Sequence, residues 1–275
     1  MKELSGNPVK KDFEEKLLSK IGKINKSRSI IILENSFDLA AKTYSKTKKK
    51  LLEKYNIPYK SETLPENFSE DFIINLITKL NTDDGIAGIF LEIPLPNSLD
   101  YKKVVDFIDY SKDVEGVTTK AIGKLFVNDE SITPPTAMSI IKILEYYKIP
   151  IRNSNVVIIN RSLVIGKPLI ALLLNRDATV TVCHTKTKDI DFHIANADIV
   201  ISGVAKPHFF NGKELKKNAV IIDASINFED DKIVGDFDPT VFSNREDLSF
   251  TPTPGGVGVV TNSIFLSNCI NLLSR

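Results

Sequence analysis

The chain has 275 residues, 42% hydrophobic and 26% charged, and its 36 basic and 35 acidic residues leave a formal net charge of +1. That composition excludes wholesale disorder, and the length suits one large domain or two modest ones whose core needs no disulfide or metal staple. The near-zero charge argues against a nucleic-acid or acidic-membrane scaffold.

The opening MKELSGNPVKKDFEEKLL has no long apolar stretch, and no run reaches the roughly 20 apolar residues of a membrane helix. The two cysteines, Cys183 and Cys269, lie far apart without ligand-like spacing, which fits a reducing compartment and no metal site. A soluble, cytoplasmic protein is expected. Short Ile/Val-rich runs predict strands over 29–33, 86–91, 155–159, 178–183, 199–202 and 219–223, and stretches of helical period predict helices over 37–55, 69–80, 136–147 and 167–174. The alternation predicts βαβ units and parallel sheet, an α/β fold. After 116–119 four strands fall within about 70 residues, the density of a compact dinucleotide-binding domain. A last helix over 262–273 is expected to return to the first domain, giving 1–116 plus 262–275 as one domain and 117–261 as the other.

Residues 42–50 read KTYSKTKKK. At about 100° per residue, Phe37, Ala40, Ala41, Tyr44, Leu51, Leu52 and Tyr55 form one apolar stripe, from which Lys46, Lys49 and Lys50 point away. Lys48 falls inside the stripe, four residues after Tyr44. Two readings stay open: a desolvated amine suited to acid–base work, or a lysine that snorkels past the stripe to water.

The run GIFLEIPLPNSLD puts Glu92 at the carboxyl end of a strand, where ligands gather in open α/β sheets, with Pro94 and Pro96 stiffening the loop. An ordinary surface glutamate fits the same position. In Lys112-Asp113-Val114-Glu115-Gly116, an extended backbone would send Asp113 and Glu115 to one side, suited to a donor-rich heterocycle or to a solvated turn.

The second half opens with strand, tight turn and helix start over 155–168. Only Gly166 stands where a GxGxxG fingerprint has three glycines, so this turn alone is weak evidence of a dinucleotide site. The next strand exits into His184-Thr185-Lys186, where an NAD site would carry a carboxylate; with Arg161 on the neighbouring turn, this set suits the 2′-phosphate of NADP better than NAD. Two further exits, Ser202-Gly203-Val204-Ala205 and Asp223-Ala224-Ser225-Ile226, carry small residues where backbone can approach a cofactor. Three of the 13 glycines fall within 255–258, in Thr251-Pro252-Thr253-Pro254-Gly255-Gly256-Val257-Gly258, a rigid turn whose N–H groups suit an anion or a flat ring.

In order and spacing, these segments resemble the bifunctional methylenetetrahydrofolate dehydrogenase/cyclohydrolase family over nearly the whole chain. The motifs are Tyr44-x-x-x-Lys48, Pro94-Leu95-Pro96, Lys112-Asp113-Val114-x-Gly116, Arg161-Ser162 with Gly166-x-Pro168, Cys183-His184, and the turn ending at Gly258. The resemblance implies two α/β domains flanking a cleft, the second Rossmann-like with a mostly parallel sheet. It implies oxidation of 5,10-methylenetetrahydrofolate by hydride transfer to NADP, then hydrolysis of the methenyl product to 10-formyltetrahydrofolate, in a homodimer that feeds purine synthesis. Lys48 becomes the catalytic lysine, with Tyr44, Glu92 and Glu115 beside it at the folate, and Pro254, Gly255 and Gly258 line the folate site. Asn160, Arg161, Ser162, Gly166, His184, Thr185 and Ile226 fall to the cofactor.

The chain departs from the family pattern at several places: Glu92 for Gln, Glu115 for Asp, and Asn160, Ala205 and Ser225 for Gly. Pro-Cys-Thr-Pro appears as Pro134-Pro135-Thr136-Ala137, and the lead into the lysine helix is Glu34-Asn35-Ser36-Phe37, with Ala41 for Ser. A carboxylate at 92 beside Lys48 would favour its ammonium form and alter the pH profile of hydrolysis. Glu115, one methylene longer than Asp, is expected to weaken folate binding without abolishing it. The alternatives are a dehydrogenase without hydrolase activity, an NADP-dependent oxidoreductase acting on another small molecule, and a non-catalytic folate- or nucleotide-binding protein.

Overall fold

The computed structural model describes every residue except 36–38, 97–98, 210–214, 231 and 243–244, and the side chains of 39–44 and 241–242 also lie outside the described residues. In chain order the first elements are β1 (Lys2–Glu3), α1 (Gly6–Ile21), β2 (Ser29–Asn35), α2 (Leu39–Lys54), β3 (Tyr59–Leu64), α3 (Glu70–Thr82), β4 (Ile86–Leu91), α4 (Tyr101–Val105) and α5 (Thr119–Leu125). There follow α6 (Pro135–Tyr146), β5 (Asn155–Ile159), α7 (Gly166–Leu174), β6 (Thr179–Cys183), α8 (Ile190–Ile194), β7 (Ile199–Ser202), β8 (Val220–Asp223), β9 (Asn227–Glu229), β10 (Lys232–Val234), β11 (Ser249–Phe250) and α9 (Val257–Leu273).

The chain divides into two compact units, one of 14–133 with 265–275 and one of 1–13 with 134–264. The expected boundaries at 116/117 and 261/262 differ from these. The first 13 residues group with the second sheet because β1 pairs in parallel with β11, Lys2 opposite Ser249.

The lysine-bearing unit holds a parallel sheet in the order β3-β2-β4. Strands β2 and β4 are almost wholly buried, which explains their unbroken apolar runs. The edge strand β3 is mostly exposed and polar, and nothing in its sequence announced it. Helix α3 is capped by Ser69, whose Oγ accepts the Phe72 N–H at 3.1 Å, and it buries Ile73, Ile77 and Leu80.

The other unit holds a six-stranded, wholly parallel sheet in the order β1-β11-β8-β7-β5-β6. Taking β5 as its first strand, the order of the five strands from β6 to β11 is 2-1-3-4-5. Chain direction across the sheet reverses between β5 and β7, the point at which doubly wound folds open a ligand crevice. The core against this sheet includes Val157, Ile159, Val200, Ile221, Phe237 and Leu248. Helix α9 starts at Val257, five residues before the expected start, because the Gly-rich turn ends earlier than its glycines suggest. No helix among the described residues is long and apolar enough to cross a membrane.

Candidate active site

Helix α2 carries Lys48 on its inner face. Lys48 is 0% exposed, whereas Lys46 and Lys50 are exposed, so the lysine does not snorkel. Its Nζ lies 2.6 Å from Glu115 Oε1, 3.6 Å from the centre of the Phe90 ring and 4.1 Å from that of Phe265. The two rings meet edge to face, with centroids 5.7 Å apart. A carboxylate and two aromatic faces thus replace the water that burial removes from the ammonium. Tyr44 falls on the same helix, but its side chain lies outside the described residues.

The loop that delivers Glu115 is locked by its own motif. Lys112 Nζ donates to the carbonyls of Leu80, at 2.9 Å, and Asp83, at 2.7 Å, closing the end of α3. Asp113 turns inward and accepts the N–H groups of Gly116 at 2.8 Å and Thr118 at 2.9 Å. Burial pushes the Asp113 carboxyl above its ordinary value, against these hydrogen bonds. The expectation of two carboxylates on one side is therefore corrected. The segment is bent rather than extended, so Asp113 organises the turn and Glu115 pairs with Lys48.

Glu92 is also corrected. It follows the last residue of β4, at the strand's carboxyl end as expected, and is 1% exposed, but its carboxylate accepts the Ser45 hydroxyl and, at 2.8 Å, the Asn35 N–H. Burial raises its pKa above the usual carboxylate range, and the influence of Lys48 ranks last among the opposing effects. The direct carboxylate partner of Lys48 is Glu115. Sequence reasoning missed Phe90, Phe265 and Ser45, which only the fold brings to this place. It also missed Tyr101, whose phenol is pushed up by burial and by the nearby Glu115 and Asp113.

In the other unit, Asn160 and Gly166 frame the turn after β5. Asn160 Oδ1 accepts the N–H groups of Ser162 at 2.7 Å and Gly166 at 3.0 Å, and its Nδ2 donates to Gly203 O at 2.5 Å. Gly166 is obligatory, since a Cβ there would overlap the Asn160 carbonyl. At the end of β6 the His184 N–H donates to Thr187 Oγ1 and His184 Nδ1 accepts the Lys186 N–H, with no carboxylate in His184-Thr185-Lys186. Arg161 is exposed on the adjoining turn. Ile226 is 59% exposed, and a Cβ at Gly258 would lie 3.9 Å from its Cδ1, so these two expected site residues are neighbours. Gly255 sits at φ +107°, open to glycine alone, and its carbonyl accepts the Gly6 N–H at 2.7 Å. Pro254 beside it is exposed. Small residues, a reversal of strand order and cations in place of an acidic strand end fit a nicotinamide dinucleotide.

These features define an α/β enzyme with a buried lysine–carboxylate pair in one unit and a doubly wound dinucleotide fold in the other. Residues 4–115 match the catalytic domain of tetrahydrofolate dehydrogenase/cyclohydrolase, and residues 134–275 match its NAD(P)-binding domain. The bifunctional protein FolD of Helicobacter pylori is 40% identical over 265 residues, covering 95% of this chain and 90% of its own. The methylenetetrahydrofolate dehydrogenase/cyclohydrolase FolD of Campylobacter jejuni superposes with a TM-score of 0.92 at 33% identity, covering 99% of this chain and 98% of its own. The Trypanosoma brucei methylenetetrahydrofolate dehydrogenase-cyclohydrolase, complexed with NADP and an inhibitor, superposes with a TM-score of 0.89 at 27% identity, covering 98% and 96%. The chain belongs to the tetrahydrofolate dehydrogenase/cyclohydrolase family. It is a bifunctional enzyme of one-carbon metabolism, with oxidoreductase and hydrolase activity on tetrahydrofolate derivatives and an NAD(P)-binding domain.

Proposed function

We propose that the enzyme oxidises 5,10-methylenetetrahydrofolate with NADP and hydrolyses the methenyl product at Lys48. The observation that carries this reading is the buried Lys48 ammonium, held by Glu115 and two rings. An amine held in a dry site beside a carboxylate suits a step that moves a proton. When bound, the nicotinamide accepts the hydride, and the chain's own work there is to hold two rings in register. In the hydrolysis, water adds to the methenyl carbon and the bond from that carbon to N5 breaks. N5 then gains one proton and one proton leaves to solvent. Lys48 is the group that relays the proton, and Glu115 fixes its position. Tyr44 and Glu92 complete the set that the lysine-bearing unit brings to the folate.

Arg161, Ser162, Thr185, His184, Gly166, Asn160 and Ile226 form the cofactor set. The choice of NADP rests on the absence of a carboxylate in His184-Thr185-Lys186 and on the exposed Arg161; NADP is also the nucleotide in the Trypanosoma brucei complex. A cytoplasmic homodimer that supplies 10-formyltetrahydrofolate to purine synthesis is the setting we propose. Both cysteines are free and buried, which suits a reducing compartment. The test is to mix enzyme, methylenetetrahydrofolate and NADP⁺ and follow methenyl and NADPH absorbance, then repeat with NAD⁺. Signal with NADP⁺, and loss of the hydrolysis step alone in Lys48→Ala, is the expected result. No signal with either nucleotide refutes the reading.

A further inference from the structure

The peptide group joining Gly203 to Val204 stands at the exit of β7, where the strand order reverses. Its carbonyl accepts Asn160 Nδ2 at 2.5 Å, and its N–H donates to Asp236 Oδ2 at 2.7 Å. The two residues that grip it come from different segments: Asn160 follows β5, and Asp236 follows β10. Each is itself held. Asn160 Oδ1 takes the Ser162 and Gly166 N–H groups. Asp236, 0% exposed, also accepts the hydroxyls of Ser202 at 2.6 Å and Ser225 at 2.7 Å and the Lys206 N–H at 3.0 Å.

We propose that Asn160 and Asp236 are positioning residues that set affinity for the dinucleotide by clamping the Gly203–Val204 peptide from both sides. This rests on assigning the β5/β7 crevice to NAD(P). A peptide with both polar groups engaged cannot flip to meet a ligand, so the crevice wall is rigid before the cofactor arrives, and binding loses less ordering entropy. The Ser162 and Gly166 N–H groups are likewise committed to Asn160. Asn160 thus acts through the loop, as a brace.

The test measures NADPH binding by fluorescence, and melting temperature, for the wild type, Asn160→Ala, Asp236→Asn and the double variant. Each single change should weaken binding by at least about fivefold, the cost of leaving one buried group unpaired. The double variant should be no more than about twofold weaker than the worse single, because both act on one peptide. Asn227→Ala removes a different partner of Asp236, the Nδ2 donor 3.3 Å from its Oδ1, and should bind within about twofold of wild type. If Asp236→Asn fails to fold, Asn160→Ala decides alone through hydrogen exchange: the Val204 amide should exchange at least about tenfold faster while Ile201 is unchanged. Wild-type binding with unaltered affinity in the single variants, or losses that multiply in the double variant, overturns the clamp. Failure of the wild type to bind any nicotinamide nucleotide overturns the crevice assignment itself, and the clamp with it.

Discussion

Lys48 and Glu115 meet at 2.6 Å with unequal exposure: the lysine side chain is 0% accessible and the glutamate 19%. The buried partner is thus the cation, and the carboxylate reaches toward solvent. Such a pair carries little net stability as a whole but is costly to halve, because removal of one partner strands the other.

That asymmetry separates two variants. Lys48→Met keeps the volume between Phe90 and Phe265 and removes the buried charge, so stability should stay within about 1 kcal/mol of wild type or rise. Hydrolysis of added methenyltetrahydrofolate should fall at least about a hundredfold. Glu115→Ala leaves the ammonium without its carboxylate and should lose about 3 kcal/mol in urea unfolding. Equal destabilisation by the two changes would refute the stranded-charge account.

Glu92 behaves differently because its partners are neutral. Burial raises its pKa above 4.5, so the folded state holds its proton more tightly than the unfolded chain does. Its contribution therefore favours the fold at low pH and is lost as pH rises from about 4.5 through the raised value. Glu92→Gln should gain stability relative to wild type across that rise. The pH profile of hydrolysis should move little in Glu92→Gln and clearly in Glu115→Gln. A larger shift in the glutamine variant at 92 would restore the coupling that the sequence suggested.

The buried strands were legible because parallel strands covered on both faces must be apolar throughout, as in 86–91 and 155–159. Edge strand β3 was not, since YKSETL faces water on most sides. Lys48 stood out by helical phase alone, yet its partner could not be read from sequence. Glu115 lies 67 positions away, and Glu92, the nearer motif, offered the same chemistry. Asp236 sits in an acidic stretch that reads as a solvated turn, and only the fold shows it to be buried. The start of α9 was misplaced because glycine and β-branched residues argue locally against a helix that tertiary packing imposes.

Asp223, at the end of β8, supplies a second pH signature. Burial lifts its carboxyl to about 6 from 3.8, although the Phe237 and Ser225 N–H groups oppose the shift. Folded protein binds this proton more tightly than unfolded chain, so the group's contribution to stability declines as pH rises from about 4 to beyond 6. A shift of about two units corresponds to about 3 kcal/mol. Asp223→Asn does not titrate, so wild type should lose up to that amount relative to the variant between pH 4 and pH 7. Denaturant unfolding at four pH values checks this; parallel stability curves would show that the carboxyl is not shifted.

Cofactor choice is tested at the end of β6. An NAD site places a carboxylate there for the ribose hydroxyls, whereas this chain has His184-Thr185-Lys186 and, one turn away, Arg161. A guanidinium can grip a 2′-phosphate through two hydrogen bonds and gains nothing comparable from a hydroxyl. Wild type should therefore favour NADP⁺ over NAD⁺ by at least about tenfold in kcat/KM, and Arg161→Ala should lose most of that ratio by raising KM for NADP⁺ alone. If Arg161→Ala weakens both nucleotides equally, the side chain meets the shared pyrophosphate and the 2′-phosphate falls to Lys186. Lys186→Ala should then collapse the preference in its place.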